Sequence, residues 1–497
     1  MGDWRPFLRH TWQALFEVDL RAIAAVRVGL GVVLLIDLAR RFGDLGRWHG
    51  DDAIYPLDLA VADSGPTISI HLLTDSTAIH ATLFVVAILA AVAMTIGWKT
   101  RVATVLSWAL LVSLHQRYWL LQDLGDDLLV LTLFWVMLAP AGRRWSLDQR
   151  RAGTGGSPAT ICSVVSAGLL LQPAWIMFFA GLSKLRQPVW RDGSAVQVVL
   201  EDDIWARRLA TVLLGLPWLL PWLSWMTVAV ETIAPLALFV RRLRPLGLAA
   251  LLSFVVGLGL SIQLGIIPWV MALALLPFLP VGIWDRVDQA IPRLAVGPGT
   301  ESSGATESSE AAGAAAAGGR RPGEMFVGGI AALVLCFVLL ANVRAVIPRL
   351  DLLPRSTDDV AAALRLEQGW SMYSPPGEGR YRVLVAMHFT DGPSRQLAIG
   401  SERSGWPTTE SWPVLESLWA DTRSRIYIYD SIAWPEMVGE HDALLAWLHR
   451  RWEAENPSSP VAELELVKVV RGPYGSEGPD GHRPIVERQS LAVLRTG

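Results

Sequence analysis

The amino-acid sequence predicts an α-helical polytopic membrane protein of about nine transmembrane helices, followed by a small C-terminal α+β extramembrane domain. Composition is the first reason: of 497 residues, 52% are hydrophobic and 18% charged, where a soluble chain carries about 25% charged residues. Spacing is the second, because apolar runs recur at close to the roughly 20 residues a helix needs to cross hydrocarbon. The 23 tryptophans are the third. They gather at the ends of those runs, as in an interfacial aromatic belt.

Residues 1–20 read as a helix lying in the interface. Trp4, Phe7, Leu8, Trp12, Leu15 and Phe16 recur at helical spacing beside Arg5, Arg9 and His10, which makes one apolar face and one basic face. The compact apolar run of a cleaved signal peptide is not seen there. A transmembrane domain is expected over 21–295, with spans near 22–39, 78–97, 102–120, 125–141, 159–182, 219–240, 246–264 and 267–284. A last span is expected over 324–344. The loops on the N-terminal side are richer in arginine, with Arg143, Arg144, Arg150 and Arg151 in one and Arg241, Arg242 and Arg244 in another. The positive-inside rule then places the N-terminus in the cytoplasm and the tail outside.

Residues 296–323 are small and polar and read as a flexible linker. In the tail, 345–497, the period changes. "YRVLVAMHFTDG" alternates and closes on a turn signal, as a strand entering a hairpin does; "RIYIYDSIAW" and "AELELVKVV" read as further strands. "HDALLAWLHRRWEAEN" sets Leu444, Leu445, Leu448 and Trp452 on one face of a helix.

The net charge of −3 is spread along the chain without a basic block, so nucleic acid is not an expected partner. Cys162 and Cys336 lie in apolar runs and read as two small buried hydrophobes. "SLHQRYWLLQDLGDDLL" gathers His115, Arg117, Asp123, Asp126 and Asp127. It lacks paired-ligand spacing, so no metal is expected. Asp126 and Asp127 also suit the first turn of a helix, where the macrodipole favours negative charge.

Ionisable groups at membrane depth are costly and mark functional sites by default. Arg27 and Asp37 fall on the first span and Glu231 in the middle of "MTVAVETIAPLALF". Glu231 either pairs with an arginine such as Arg27 or lines a ligand cavity, and Pro235 nearby frees a backbone carbonyl. Lys184 ends the run "FFAGLSK". It is either a snorkelling anchor or a half-buried amine able to act as a base.

The segments "RVGLGVVLLIDLARRFGDL", "DDAIYPLD", "LQDLGDDLLVLTLFWVMLAPAGRRWSLD", "FFAGLSKLRQPVWRDGSAV", "VETIAPLAL" and "WSMYSPP", in this order, resemble the bacterial HTTM family. These are membrane proteins related to the vitamin K-dependent gamma-glutamyl carboxylase. In the animal carboxylase a helix end of the form Gly-x-Lys-Lys-Leu, followed by Trp and Gly, carries the catalytic lysine. Here "GLSKLRQPVWRDG" puts Ser183 at the first lysine and Lys184 at the second.

The resemblance implies an inner-membrane enzyme acting on a reduced quinone, menaquinol or vitamin K hydroquinone. Lys184 would deprotonate the hydroquinone and oxygen would add. The resulting alkoxide would remove a glutamate γ-proton from a protein or peptide acceptor, and carbon dioxide would capture the carbanion. Asp126 or Asp127 would support the lysine. Trp190 and Gly193 would shape its loop, with Glu231 and Trp370 completing the quinone pocket. The alternative expectation is a non-catalytic scaffold or lipid- or quinone-binding protein in the bilayer, whose tail meets a partner around Trp370 and Tyr373. A transporter using Glu231 and Asp37 ranks behind both, because no internal repeat is evident.

Overall fold

Asp19 separates the first two helices, α1 (Arg5–Phe16) and α2 (Leu20–Gly43). Its carboxylate accepts the Arg21 backbone N–H at 2.8 Å, which satisfies one of the open amides at the start of α2. The three residues between the helices, β1 (Glu17–Asp19), pair antiparallel with β2 (Thr160–Cys162). That ribbon is too short to show a period in the sequence. The computed structural model describes residues 5–50, 52–152, 159–202, 205–291, 322–370, 381–399, 412–420, 422–472 and 484–496. The expected linker, apart from its last two residues, lies outside them, as does Tyr373.

Further long helices follow: α3 (Thr77–Ile96), α4 (Thr100–Arg117), α5 (Leu124–Leu138), α6 (Val164–Leu185), α7 (Leu220–Ala237), α8 (Arg244–Ser261), α9 (Ile267–Leu275) and α10 (Pro322–Val346). Helices therefore form at each of the expected spans, but the count of nine crossings is not reached. Among the described residues five are long and apolar enough to cross a bilayer: α2, α3, α6, α8 and α10. A sixth is added if Ile267–Phe278 and Val281–Ala290, which meet at 106°, make one broken span. α5 has 15 residues and is buried along most of its length. An apolar run of that size is also what a core helix shows. α4 and α7 reach 18 residues each but carry polar groups such as Arg117 and Glu231.

Both cysteines are free and exposed, which corrects the expected burial. Cys336 lies on α10, where Phe326 and Leu333 are 70% and 74% exposed. An apolar side chain on such a helix needs no protein neighbour.

The tail is α+β. Strands β3 (Tyr381–Phe389), β4 (Arg395–Ala398), β5 (Val461–Arg471) and β6 (Ile485–Arg495) form one antiparallel sheet in the order β4-β3-β5-β6. The hairpin after "YRVLVAMHFTDG" is present, with Val385 opposite Leu397. α11 (Val438–Glu455) buries Leu444, Leu445, Leu448 and Trp452, the face expected from the sequence. "RIYIYDSIAW" is a correction: instead of a strand it forms a short helix, Thr422–Ile426, running into a π-helical turn, Tyr427–Ile432. Ile426, Tyr427, Ile428, Tyr429 and Ile432 are all buried, so burial on every side overrides a β-like composition.

That turn docks the tail on the helical bundle. Tyr427 packs edge-on against Trp48 at 5.0 Å between ring centres, and Trp447 donates to the Asp52 carbonyl at 3.1 Å. Nearer the bundle, the Gln116 side chain donates to the Ala362 carbonyl at 2.6 Å. Arg365 pairs with Asp127 at 2.8 Å.

Candidate functional site

The sequence "FFAGLSK" brings Lys184 next to α7 through a glycine. A Cβ on Gly181 would stand 2.6 Å from Thr232 Oγ1 and 3.0 Å from the Thr232 nitrogen. Glycine alone lets the two helix backbones approach this closely. One turn further on, Lys184 Nζ lies 3.0 Å from Glu231 Oε1 and 2.8 Å from Oε2. The two side chains are 4% and 5% exposed. The expected pairing of Glu231 with Arg27 is thereby corrected. Arg27 is wholly buried and gives its N–H groups to the Ala141 carbonyl at 2.7 Å and the Trp145 carbonyl at 2.6 Å. Loop carbonyls, rather than a carboxylate, take the guanidinium's terminal N–H groups, and its Nε has no hydrogen-bond partner among the described residues.

The Lys184–Glu231 pair sits at one wall of a cavity of about 40 Å³. Ile176, Met177, Phe254, Leu258 and Met271 make it apolar, and Trp370 from the tail closes one side. At this size it has the room of about three waters, since one needs about 10–15 Å³. Met177 and Met271 are unbranched and change rotamer cheaply, which lets such a cavity widen.

Trp190 and Gly193 shape the surroundings. Trp190 is 3% exposed, and the Lys184 ammonium lies 5.4 Å from its ring centre, within range of a cation–π attraction. Gly193 has φ +87°, a conformation that favours glycine. Its carbonyl accepts from Ser224 Oγ at 2.9 Å, which fastens the loop to α7. Gly193 does not line the cavity. Trp370 turns its N–H to Gln368 Oε1 at 2.8 Å. The same oxygen accepts from Gln172 on α6 at 3.1 Å and from Asn342 on α10 at 3.2 Å.

Asp126 and Asp127 are placed elsewhere, which corrects their expected support of Lys184. Both lie in the first turn of α5, behind a capping box formed by Asp123 and Asp126, as the macrodipole reading expected. Among the described residues no hydrogen bond or ion pair joins either to Lys184. Asp126 instead lies within a buried ionic cluster. Arg41 reaches Asp37 at 2.8 Å and Asp126 at 3.1 Å. Arg423 from the tail reaches Asp37 at 2.5 Å and Asp126 at 2.6 Å. His115 Nε2 lies 3.3 Å from Arg41 Nη2. Two arginines thus enclose two aspartates, which suits a structural joint. The helix that separates the cluster from the cavity is shared: Leu124 and Leu128 of α5 line the cavity.

A third polar group was not legible in the sequence. His49, His71 and His80 pack together with Tyr118, the His49 ring centre 4.0 Å from that of Tyr118 and 5.6 Å from that of His80. Burial, with the neighbouring His80, Arg117 and Arg41 charges, pushes His71 down to about 3. Burial likewise holds His49 well below its usual value. These two imidazoles are neutral at ordinary pH, and the three histidines, 22 and 9 residues apart, show no paired-ligand spacing in the sequence. Among the described residues no three His, Cys, Asp or Glu side chains converge as metal ligands do.

A bundle of membrane-crossing helices with a docked α+β domain, and a buried lysine–glutamate pair facing an apolar cavity, defines an integral membrane protein with an intramembrane polar site. The profile of the HTTM domain matches residues 17–282, more than half of the 497-residue chain, and the protein belongs to that family. The match takes in every bundle element of the site: Lys184, Trp190, Gly193 and Glu231. No curated protein and no solved structure matches the chain.

Proposed function

We propose that the protein is a quinol-directed membrane enzyme whose working site is the Lys184–Glu231 cavity. The observation that carries this reading is a charged pair, almost fully buried, at the wall of an apolar cavity inside a helical bundle. A buried pair is weak evidence of stability, because packed apolar groups of similar volume often serve a fold as well, so charges kept at a cavity wall point to a use for them there. Facing a cavity, it can meet the polar end of an amphiphile while Ile176, Phe254 and Leu258 hold the apolar part. Glu231 Oε2 supports the fit, because no described residue hydrogen-bonds it. α8, which supplies Phe254, Val255 and Leu258, is 28% buried over its apolar window. A lipid-soluble ligand would enter past this outer helix.

A reduced quinone supplies an acidic O–H and, with oxygen, the strong base that carboxylation of an acceptor requires. The protein's share is to bind the head group, to move its proton and to keep water out. On this reading the protein lies in an inner membrane with the tail outside. A reporter fused after residue 497 is expected to be active only on the outer side.

The deciding experiment gives the purified protein, in lipid nanodiscs, menaquinol or vitamin K hydroquinone with oxygen, and mass spectrometry looks for quinone epoxide. The wild type is expected to form it. Lys184→Ala is expected to lose about 10²-fold or more while remaining inserted. Epoxide from neither quinone would sink the enzyme reading and favour a scaffold. One feature of the tail speaks for that second reading: β6 is an edge strand of 11 residues with Ile485 and Val486 50% and 62% exposed, a surface on which a partner's strand can pair.

A further inference from the structure

Lys184 faces the cavity already paired. The resemblance assigns it the part of a base, yet an ammonium held 2.8–3.0 Å from a carboxylate has no lone pair with which to take a proton. The carboxylate does. We infer that Glu231 is the proton acceptor of this site and that Lys184 is the cation that holds the resulting oxyanion. The ligand is a weak acid of the phenol class, an O–H on a large apolar body. The inference rests on the reading that the cavity receives a quinol.

Three features carry it. First, Nζ hydrogen-bonds Oε1 at 3.0 Å, and Oε2, 2.8 Å from the same ammonium, accepts a hydrogen bond from no other described residue. A buried carboxylate oxygen left in this way costs free energy that a donor from a ligand would recover. Second, the pair is the polar feature of an otherwise apolar wall, since the Trp370 N–H is turned to Gln368. A ligand O–H entering there meets Glu231 and Lys184. Third, the charges balance at every stage. Glu231 Oε2 takes the proton, and the electrons of the O–H bond stay on the ligand oxygen. The Lys184 ammonium, released by the neutralised carboxyl group, turns to that oxygen. One ion pair replaces another, and no charge is stranded in low dielectric. A lysine base would first have to lose its own proton inside this pair.

The test uses the full chain in nanodiscs and a naphthol probe whose anion absorbs at longer wavelength than its neutral form. The wild type is expected to bind part of the probe as the anion. Infrared difference spectra should show a carboxylic acid C=O band gained on binding, and this band should be missing in Glu231→Gln. Lys184→Arg keeps a permanent cation that cannot act as a base, and it is expected to retain the anion band. Adding Glu231→Gln to it should abolish that band. Anion formation in the wild type without the carboxylic acid band would overturn the inference, whether or not the arginine variant folds. So would a folded Lys184→Arg protein that binds the probe only in its neutral form. A wild type that binds no probe at all fails differently, because it removes the quinol reading beneath.

Discussion

Arg423→Leu is expected to release the C-terminal domain from the bundle and to destabilise the folded protein by about 3–5 kcal/mol. Arg423 is the tail's contribution to the buried ionic cluster, reaching Asp37 at 2.5 Å and Asp126 at 2.6 Å. Those two carboxylates are 4% and 0% exposed. Without the guanidinium, Arg41 alone must balance both, so one negative charge stays buried without a partner. The Arg423 N–H to the Leu121 carbonyl, 3.0 Å, is lost as well. Limited proteolysis should show the tail cut from an intact bundle, and the thermal midpoint in nanodiscs should fall. A variant whose tail resists protease like the wild type would show that Arg365–Asp127 and the Tyr427–Trp48 contact hold the domain unaided. Arg423→Lys should recover part of the loss, because one ammonium cannot reach both aspartates as a planar guanidinium does.

Lys184→Met is expected to destabilise the bundle by a similar amount, about 3–5 kcal/mol, because Glu231 then lies buried with no counter-charge. The informative comparison is with the double variant Lys184→Met/Glu231→Leu. Replacing both charges by apolar groups removes the desolvation cost together with the attraction, and such exchanges are often neutral or stabilising. The double variant should therefore regain the wild-type melting temperature or exceed it while quinol turnover stays absent. That outcome separates stability from function at one site. A double variant as unstable as the single one would mean that the pair is structural, and that α6 and α7 need it to stay together.

Much of the architecture was legible in the sequence. Long apolar runs and terminal tryptophans place the helices, since the length needed to cross hydrocarbon leaves a plain period in the chain. Alternation in "YRVLVAMHFTDG" and the apolar face of "HDALLAWLHRRWEAEN" place β3 and α11, although β3 is buried on both faces from Arg382 to Met387. The count of crossings was less legible. An apolar run of about 15 residues reads the same whether neighbours or lipid cover it, and α5 is covered by neighbours. "RIYIYDSIAW" misleads for a related reason: its Ile426, Tyr427, Ile428, Tyr429 and Ile432 are all buried, so no one-sided period survives to separate helix from strand.

The site divides along the same line. By itself the sequence determined that Lys184 ends a membrane-depth helix, that Glu231 is an uncompensated carboxylate in an apolar run, and that Trp190 and Gly193 follow the lysine in a patterned turn. Those are local properties of composition and spacing. Only the tertiary structure decided who partners whom. Glu231 meets Lys184 because Gly181 lets two backbones approach, while Arg27 gives its terminal N–H groups to loop carbonyls. Asp126 meets Arg41 and Arg423 from opposite ends of the chain, 85 and 297 residues away. The physical reason is that burying a charge in low dielectric demands a partner nearby in space. The chain is free to supply that partner from any distance along its length.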